Sequence, residues 1–426
     1  MSTFLRSTAF LAAAGLPVLV LAGCGGTPSL PASTGSQSLA ARQNQSDRSD
    51  RSAPPVTNPY PFAQGDVFNF NYADSLVTTT GGTPTKSYVD GTDTLTINGS
   101  ESFDGGTWTE LTEVFAYTDY NSAKQSTATG TLTTDFYRNF VQNGDVLDYL
   151  QAGYTTSNQE SDANGTTIQG TTDYTYGTPY EIDAVPETKS SWKEPLQNTE
   201  TGQTITTPKS GSTETLTYSF TRNADLSYTR NAQFVYSPGG TYTETDTVAA
   251  NGSAEDSNDF PSNNPTNGTT TWAAPAKVGG SYVITVVYTP TSGSKTTTNV
   301  PDWYPGGGKV KSLASDVKKD SGTVKVPKTC GTAVAGQTAV ELVETQAYLD
   351  PEQGTYDTDT ETTYVVSGEG RVCVISKLVD DTYDNRVTGD LTTSVTHDEV
   401  LSLTSESLQN MRKHNLIVGF AQGRPR

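Results

Sequence analysis

From residue 66 onward, apolar side chains recur at every second position in short runs. Phe68, Phe70 and Tyr72 alternate with polar residues. Successive side chains of a strand point to opposite faces, so this spacing places three rings on one face. The same alternation runs through residues 87–97, 107–117, 131–140, 171–180, 213–220, 225–236 and 241–248. Turn-forming residues separate the runs: Gly81-Gly82, Asn98-Gly99, Asp104-Gly105-Gly106, Asn143-Gly144, Asn223-Ala224-Asp225 and Pro238-Gly239-Gly240. Short strands about ten residues apart with such turns predict an antiparallel meander rather than strand–helix–strand units.

A polar stretch with two prolines and no periodicity follows, and it marks a linker at 249–271 between two β domains, 58–248 and 272–411. The second domain opens much as the first does. Pro275, Gly279, Tyr282, Ile284 and Val286 repeat the spacing of Pro61, Gly65, Phe68, Phe70 and Tyr72, which suggests an internal duplication; shared turn chemistry would produce the same match. Residues 337–348, 355–366 and 371–378 then read as three strands joined by the turns 350–354 and 367–370. Near the end, Thr396-His397-Asp398-Glu399 has the spacing of a helix capping box ahead of Val400, Leu401, Leu408 and Met411. The same stretch also alternates as a strand from Leu391 to Leu403, so both readings stand.

The amino terminus carries a different pattern. After Arg6, residues 9–22 form an apolar run containing Pro17, too short to cross ~30 Å of hydrocarbon as a helix. It reads as the core of an export signal. The next residues, Leu21-Ala22-Gly23-Cys24, resemble the lipobox of bacterial lipoproteins. The resemblance implies cleavage before Cys24, lipidation of its sulfur and acylation of its new amino group. Three acyl chains would hold the mature chain to a membrane, since one is marginal and two suffice. Gly25 stands where Asp is the usual inner-membrane retention signal of that family, so the resemblance implies delivery to the outer membrane in an organism that has one. Residues 24–57 offer almost no large apolar side chain and read as a disordered tether with a span of roughly 30 Å. Residues 412–426 read as a tail.

Composition agrees with sheets. About seventy of the 426 residues are Thr, a residue suited to a half-buried pleated surface and poor in helices. Acids outnumber bases 47 to 27, giving a net charge of −20. That balance excludes nucleic acid as a partner, because neutralising phosphates takes clustered Lys and Arg. Residues 1–60 hold four Arg against two Asp, so the acidity belongs to the β domains.

Candidate chemistry is sparse. With Cys24 assigned to the lipid, Cys330 and Cys373 remain, and an even pair outside the cytoplasm is most simply a disulfide. Closing that loop would stabilise by about 4 kcal/mol in the chain-entropy model. The chain has no GxSxG, HExxH, GxxxxGK[ST] or CxxC, and its histidines are His397 and His414, so catalytic and metal signatures are lacking. His397 beside Asp398 reads as a capping or solvent-facing residue, and His414 as part of a basic cluster in the tail. Asp380, Asp381, Asp384 and Asp390 crowd a loop and are weak calcium candidates, without EF-hand spacing. Trp192, Trp272, Trp303 and Tyr304 lie beside turns, where such rings plug the end of a small barrel or stack on a sugar or protein.

The expectation is therefore an all-β chain of two antiparallel meander units with little helix, forming a curved sheet, half-barrel or sandwich. It would act as a lipid-anchored, non-catalytic binding or structural module of the cell envelope, needing no cofactor and facing an envelope protein, a polysaccharide or a lipid. Two other readings stay open. The Pro-x-x-x-Gly-x-x-aromatic opening and long meander resemble envelope lipoproteins with curved half-barrel sheets, which implies a carrier of an apolar ligand. Carboxylates paired only in space would instead make a carbohydrate-active enzyme.

Overall fold

A computed structural model describes residues 64–407, apart from 144–145, 163–166, 184–191, 194–197, 209–212, 238, 260–266, 309 and 367–369. The expected export signal, Cys24, the tether, the tail and His414 lie outside the described residues.

The alternating runs are strands, several longer than their apolar cores suggest. The first are β1 (Val67–Thr80), β2 (Thr83–Phe103), β3 (Gly106–Tyr120), β4 (Ser126–Asn143), β5 (Val146–Asp162) and β6 (Thr167–Asp183). Next come β7 (Trp192–Lys193), β8 (Asn198–Pro208), β9 (Thr213–Arg222), β10 (Tyr228–Ser237), β11 (Thr241–Val248) and β12 (Ala254–Asp259). They are followed by β13 (Gly268–Trp272), β14 (Ala276–Val278), β15 (Ser281–Pro290) and β16 (Thr296–Pro301). The last group is β17 (Ala314–Lys325), β18 (Thr338–Asp350), β19 (Thr355–Val366), β20 (Gly370–Tyr383) and β21 (Leu391–Ser407). One 3₁₀ turn, Lys328–Cys330, precedes β18.

All pairing is antiparallel. A large meander runs from β1 to β16, a smaller one from β17 to β21, and the two join edge to edge where β1 pairs with β21. The far edges, β16 and β17, do not pair with each other; among described residues β17 meets only the two-residue β7 there. The sheet is thus curved but not closed into a barrel.

Three expectations change. The segment 249–271 is not a linker: β12 and the start of β13 lie within it and continue the ladder from β11 to β15. The break between meanders falls instead at residues 302–313, after β16. Asn98-Gly99 is not a turn but a bulge, at which β2 shifts register against β3 and continues to Phe103; Gly99 takes φ +118° there, a conformation that Gly adopts without penalty. And residues 396–407 form strand, not helix. Pairing with β1 on one side and β20 on the other satisfies their backbone groups, and this outweighs a local capping signal.

The inner face carries two apolar clusters. Phe68, Phe70, Ile97, Leu111, Phe136, Leu401 and Leu403 build the first, with Tyr72 meeting Phe115 edge to face at 5.0 Å. Its end is closed by the turn before β18, tied down by a disulfide between Cys330 and Cys373, both fully buried. Trp272, Ile284, Val300, Trp303 and Tyr304 belong to the second, so these turn-adjacent rings plug the structure rather than project from it. The Tyr304 hydroxyl donates to the Gly252 carbonyl at 2.6 Å, and Trp272 Nε1 donates to the Asn385 carbonyl at 2.9 Å. Tyr282, expected to mirror Phe68, is instead 38% exposed.

Candidate functional site

The alternation that buries Phe68, Phe70 and Tyr72 continues one step to Asp74, which therefore points inward with the aromatic face. On β21 the same phase carries Leu403, Leu401, Glu399 and His397 inward. The β1–β21 register sets Asp74 directly opposite Glu399, with His397 one inward step beyond. Two strands more than 300 residues apart in sequence thus bring three ionisable groups together.

His397 Nδ1 lies 2.9 Å from Asp74 Oδ2 and 3.7 Å from Glu399 Oε1, while its Nε2 lies 3.9 Å from Asp380 Oδ2. When Nδ1 carries its proton it donates to Asp74. All three residues are buried, and Asp74 Oδ1 and Glu399 Oε1 have no hydrogen-bond partner. Burial, reinforced by Asp74, Asp359, Glu361 and Asp380, pushes the Glu399 carboxyl well above its ordinary range. Burial raises Asp74 as well, against the opposing pull of His397. His397 is therefore neither a helix cap nor a solvent-facing residue.

The group belongs to a longer row. Direct cross-strand pairing aligns Asp74, Glu399, Ser376, Glu361, Glu344 and Lys318 from β1 through β17, and every one is buried. Lys318 Nζ stands 3.9 Å from Glu344 at its end. Burial and Glu344 raise Glu361 to about 8, and burial raises Asp93, farther along the inner face, to about 7. One side of the row borders aromatic rings: the Tyr117 ring lies over Gly130, where a Cβ would collide with it, and its hydroxyl donates to Glu160 at 2.9 Å.

A second charged cluster joins the two meanders. Arg230 on β10 donates to Asp246 at 2.8 Å and to Glu352 at 2.6 Å, and lies 3.6 Å from Asp350. Arg386 reaches Asp256 at 3.3 Å. Asn385 clamps the same region, donating to the Pro351 and Glu352 carbonyls at 2.9 and 2.7 Å. Here the acids already have cations.

The calcium candidates are not drawn into one site. Asp384 caps its own loop, accepting from the backbone N–H groups of Val387 and Thr388, and Asp390 meets it only through a backbone bond. Asp380 faces His397 instead, and Asp381 pairs across the ladder with Tyr356. The carboxylates that converge on a histidine are instead Asp74 and Glu399, and their sequence signal was a charge in phase with an aromatic or leucine face.

On the solvent side of β8–β11 lies a groove of about 700 Å³, lined by Thr201, Gln203, Thr217, Asn231, Gln233 and Thr243 among others. Cross-strand hydrogen bonds link its hydroxyls and amides, Gln203 to Thr217 at 3.4 Å and Thr245 to Asn231 at 3.2 Å.

No protein-family model and no curated protein matches the chain. Among solved structures, the outer membrane protein OpdK from Pseudomonas aeruginosa is 10% identical, with 80% of this chain and 98% of that one covered, at a TM-score of 0.24. OccK2 (OpdF) from the same organism, in complex with glucuronate, is 9% identical over 80% and 97%, also at 0.24. A BenF-like porin from Pseudomonas fluorescens Pf-5 is 8% identical over 79% and 99%, at 0.21. Backbones related by TM-scores that low do not share one arrangement of strands, so nothing said of those proteins transfers to this chain.

Proposed function

We propose that this chain is an exported, lipid-anchored envelope protein, held at the outer membrane where one exists, that acts as a non-catalytic module binding a neutral polysaccharide. The observation that carries the binding part is the groove on β8–β11. Its lining is mostly side-chain hydroxyls and amides, cross-linked between strands, with the Tyr218 ring and one carboxylate, Glu244, among them; this is a pre-organised set of donors and acceptors suited to a hydroxyl-rich ligand without negative charge. A carrier of apolar ligands calls for a hollow apolar interior; the inner face here is occupied by aromatic clusters and a row of buried acids. A glycosidase places its two carboxyls ~5–9 Å apart across a cleft, whereas the acids that converge most closely here are engaged by His397 or Arg230. The anchor rests on the lipobox residues Leu21-Ala22-Gly23-Cys24.

Each half of this reading has its own test. In membrane fractionation of a bacterial host, the wild-type chain is expected in the membrane pellet and Cys24→Ala in the soluble fraction; undiminished association of the variant would remove the anchor. In co-sedimentation with purified insoluble cell-wall polysaccharide, the soluble Cys24→Ala chain is expected to pellet. Adding Asn231→Ala and Gln233→Ala should weaken that at least tenfold, since each removed ligand hydrogen bond contributes ~1 kcal/mol. Equal pelleting with and without the groove substitutions would overturn the binding face.

A further inference from the structure

We propose that Asp74, His397 and Glu399 form a binding site for one divalent transition-metal ion of the zinc class. The site is independent of both the anchor and the groove. One donor atom from each residue lies within 4.8 Å of the other two, and an ion ~2.0–2.2 Å from nitrogen and oxygen ligands draws such atoms together with modest side-chain movement.

Two features of this group point to a ligand, the first of them shared with Asp246 Oδ1 in the other acidic cluster. Asp74 Oδ1 and Glu399 Oε1 are buried oxygens without a hydrogen-bond partner, in side chains only 2% and 5% exposed. Native interiors rarely leave such atoms unmet. Second, the surroundings supply what a metal site needs beyond its ligands. Asp380 stands beside the His397 Nε2, the position from which a carboxylate orients a ligating imidazole. Asp380 is itself 39% exposed at its side chain.

The donor set selects the ion. One imidazole nitrogen with two carboxylates suits zinc and its neighbours, while calcium takes six to eight oxygens. Three protein ligands leave a further coordination position for water or a second molecule. Binding replaces a proton on the imidazole or a carboxyl by the metal, so one or more protons leave as the ion enters. The other converging acidic group, Glu244, Asp246, Asp256 and Glu352, does not qualify, because Arg230 and Arg386 already donate into it.

The test is calorimetric titration of Zn²⁺ into the detergent-solubilised, chelator-treated full chain, with Co²⁺ absorption as a second readout of coordination. The expected result is one ion per chain with Kd at or below about 1 μM, weakened at least ~100-fold in His397→Ala and in Glu399→Gln, and up to ~10-fold in Asp380→Asn. Glu244→Gln should bind as the wild type does. Glu399→Gln keeps the side chain's shape and removes its charge, so it decides the matter even if His397→Ala fails to fold; circular dichroism in chelator reports which variants fold. No saturable Zn²⁺ binding, tighter binding of Ca²⁺ than of Zn²⁺, or Zn²⁺ binding that survives in folded Glu399→Gln would each overturn the site.

Discussion

Raising the pH from 5 to 8 is expected to lower the thermal midpoint of this protein by roughly 5–10 °C, the reverse of ordinary acid denaturation. The cause is the set of acids that the sheet buries without enough cations. Burial, then the nearby Asp380 and Asp350, raise Asp357 to about 8; Glu361 rises to about 8 through burial and Glu344; burial raises Asp93 to about 7. Between the ordinary carboxyl range and these values the folded chain holds protons that the unfolded chain has released. Stability therefore falls as pH rises through that window, at up to about 1.4 kcal/mol per pH unit for each such group. Relaxation and water entry reduce the sum to several kcal/mol. Asp225, lowered by its hydrogen bonds to Ser227, acts in the opposite direction, but only below pH 4. Calorimetry in chelator at pH 5, 6.5 and 8 checks this, and a midpoint that is flat or rises with pH would contradict it.

Replacing Arg230 with Ala should cost about 3–5 kcal/mol at pH 8, the penalty for removing one partner of a buried ion pair. Arg230 serves three carboxylates at once. Two of these, Asp350 and Glu352, lie at the β18–β19 turn of the small meander, while Asp246 lies in the large one, so the variant loosens the contact between them as well as exposing like charges to each other. Lowering the pH protonates the abandoned acids and should return part of the loss, making the deficit smaller at pH 5 than at pH 8. Urea unfolding of both proteins at the two pH values measures it. A pH-independent deficit would assign Arg230 a packing role through its stem.

Fold class was legible because the period of two is local: Phe68, Phe70 and Tyr72 need no partner strand to declare a face. The bulge at Asn98-Gly99 was not, since the same dipeptide serves a hairpin or a bulge and only the neighbouring register decides. Residues 249–271 misled for a related reason. Strands such as β12 (AEDSND) bury Asp256 and Asn258 beside a single small apolar residue, Ala254, and a hydrophobic period cannot find a strand whose inward face is mostly polar. His397 was equally hidden: its adjacency to Asp398 is visible in sequence, yet Asp398 points outward, and the acid that matters, Asp74, lies 323 residues away. The phase relation of Glu399 and His397 to Leu401 and Leu403 was the available sign, and it required choosing strand over helix first.

The seam between β1 and β21 also sets an order of events. Among the described residues, the first strand is completed by the last, with Val67 opposite Ser407 and Thr80 opposite Thr393. A chain emerging from a ribosome presents β1 and β2 early, leaving one long edge of unpaired backbone until β21 has arrived. Contacts of such sequence separation form slowly, and open edges recruit other strands. During synthesis the exposure of that edge is thus a matter of timing, ended only when the hairpin of β20 and β21 arrives to cover it.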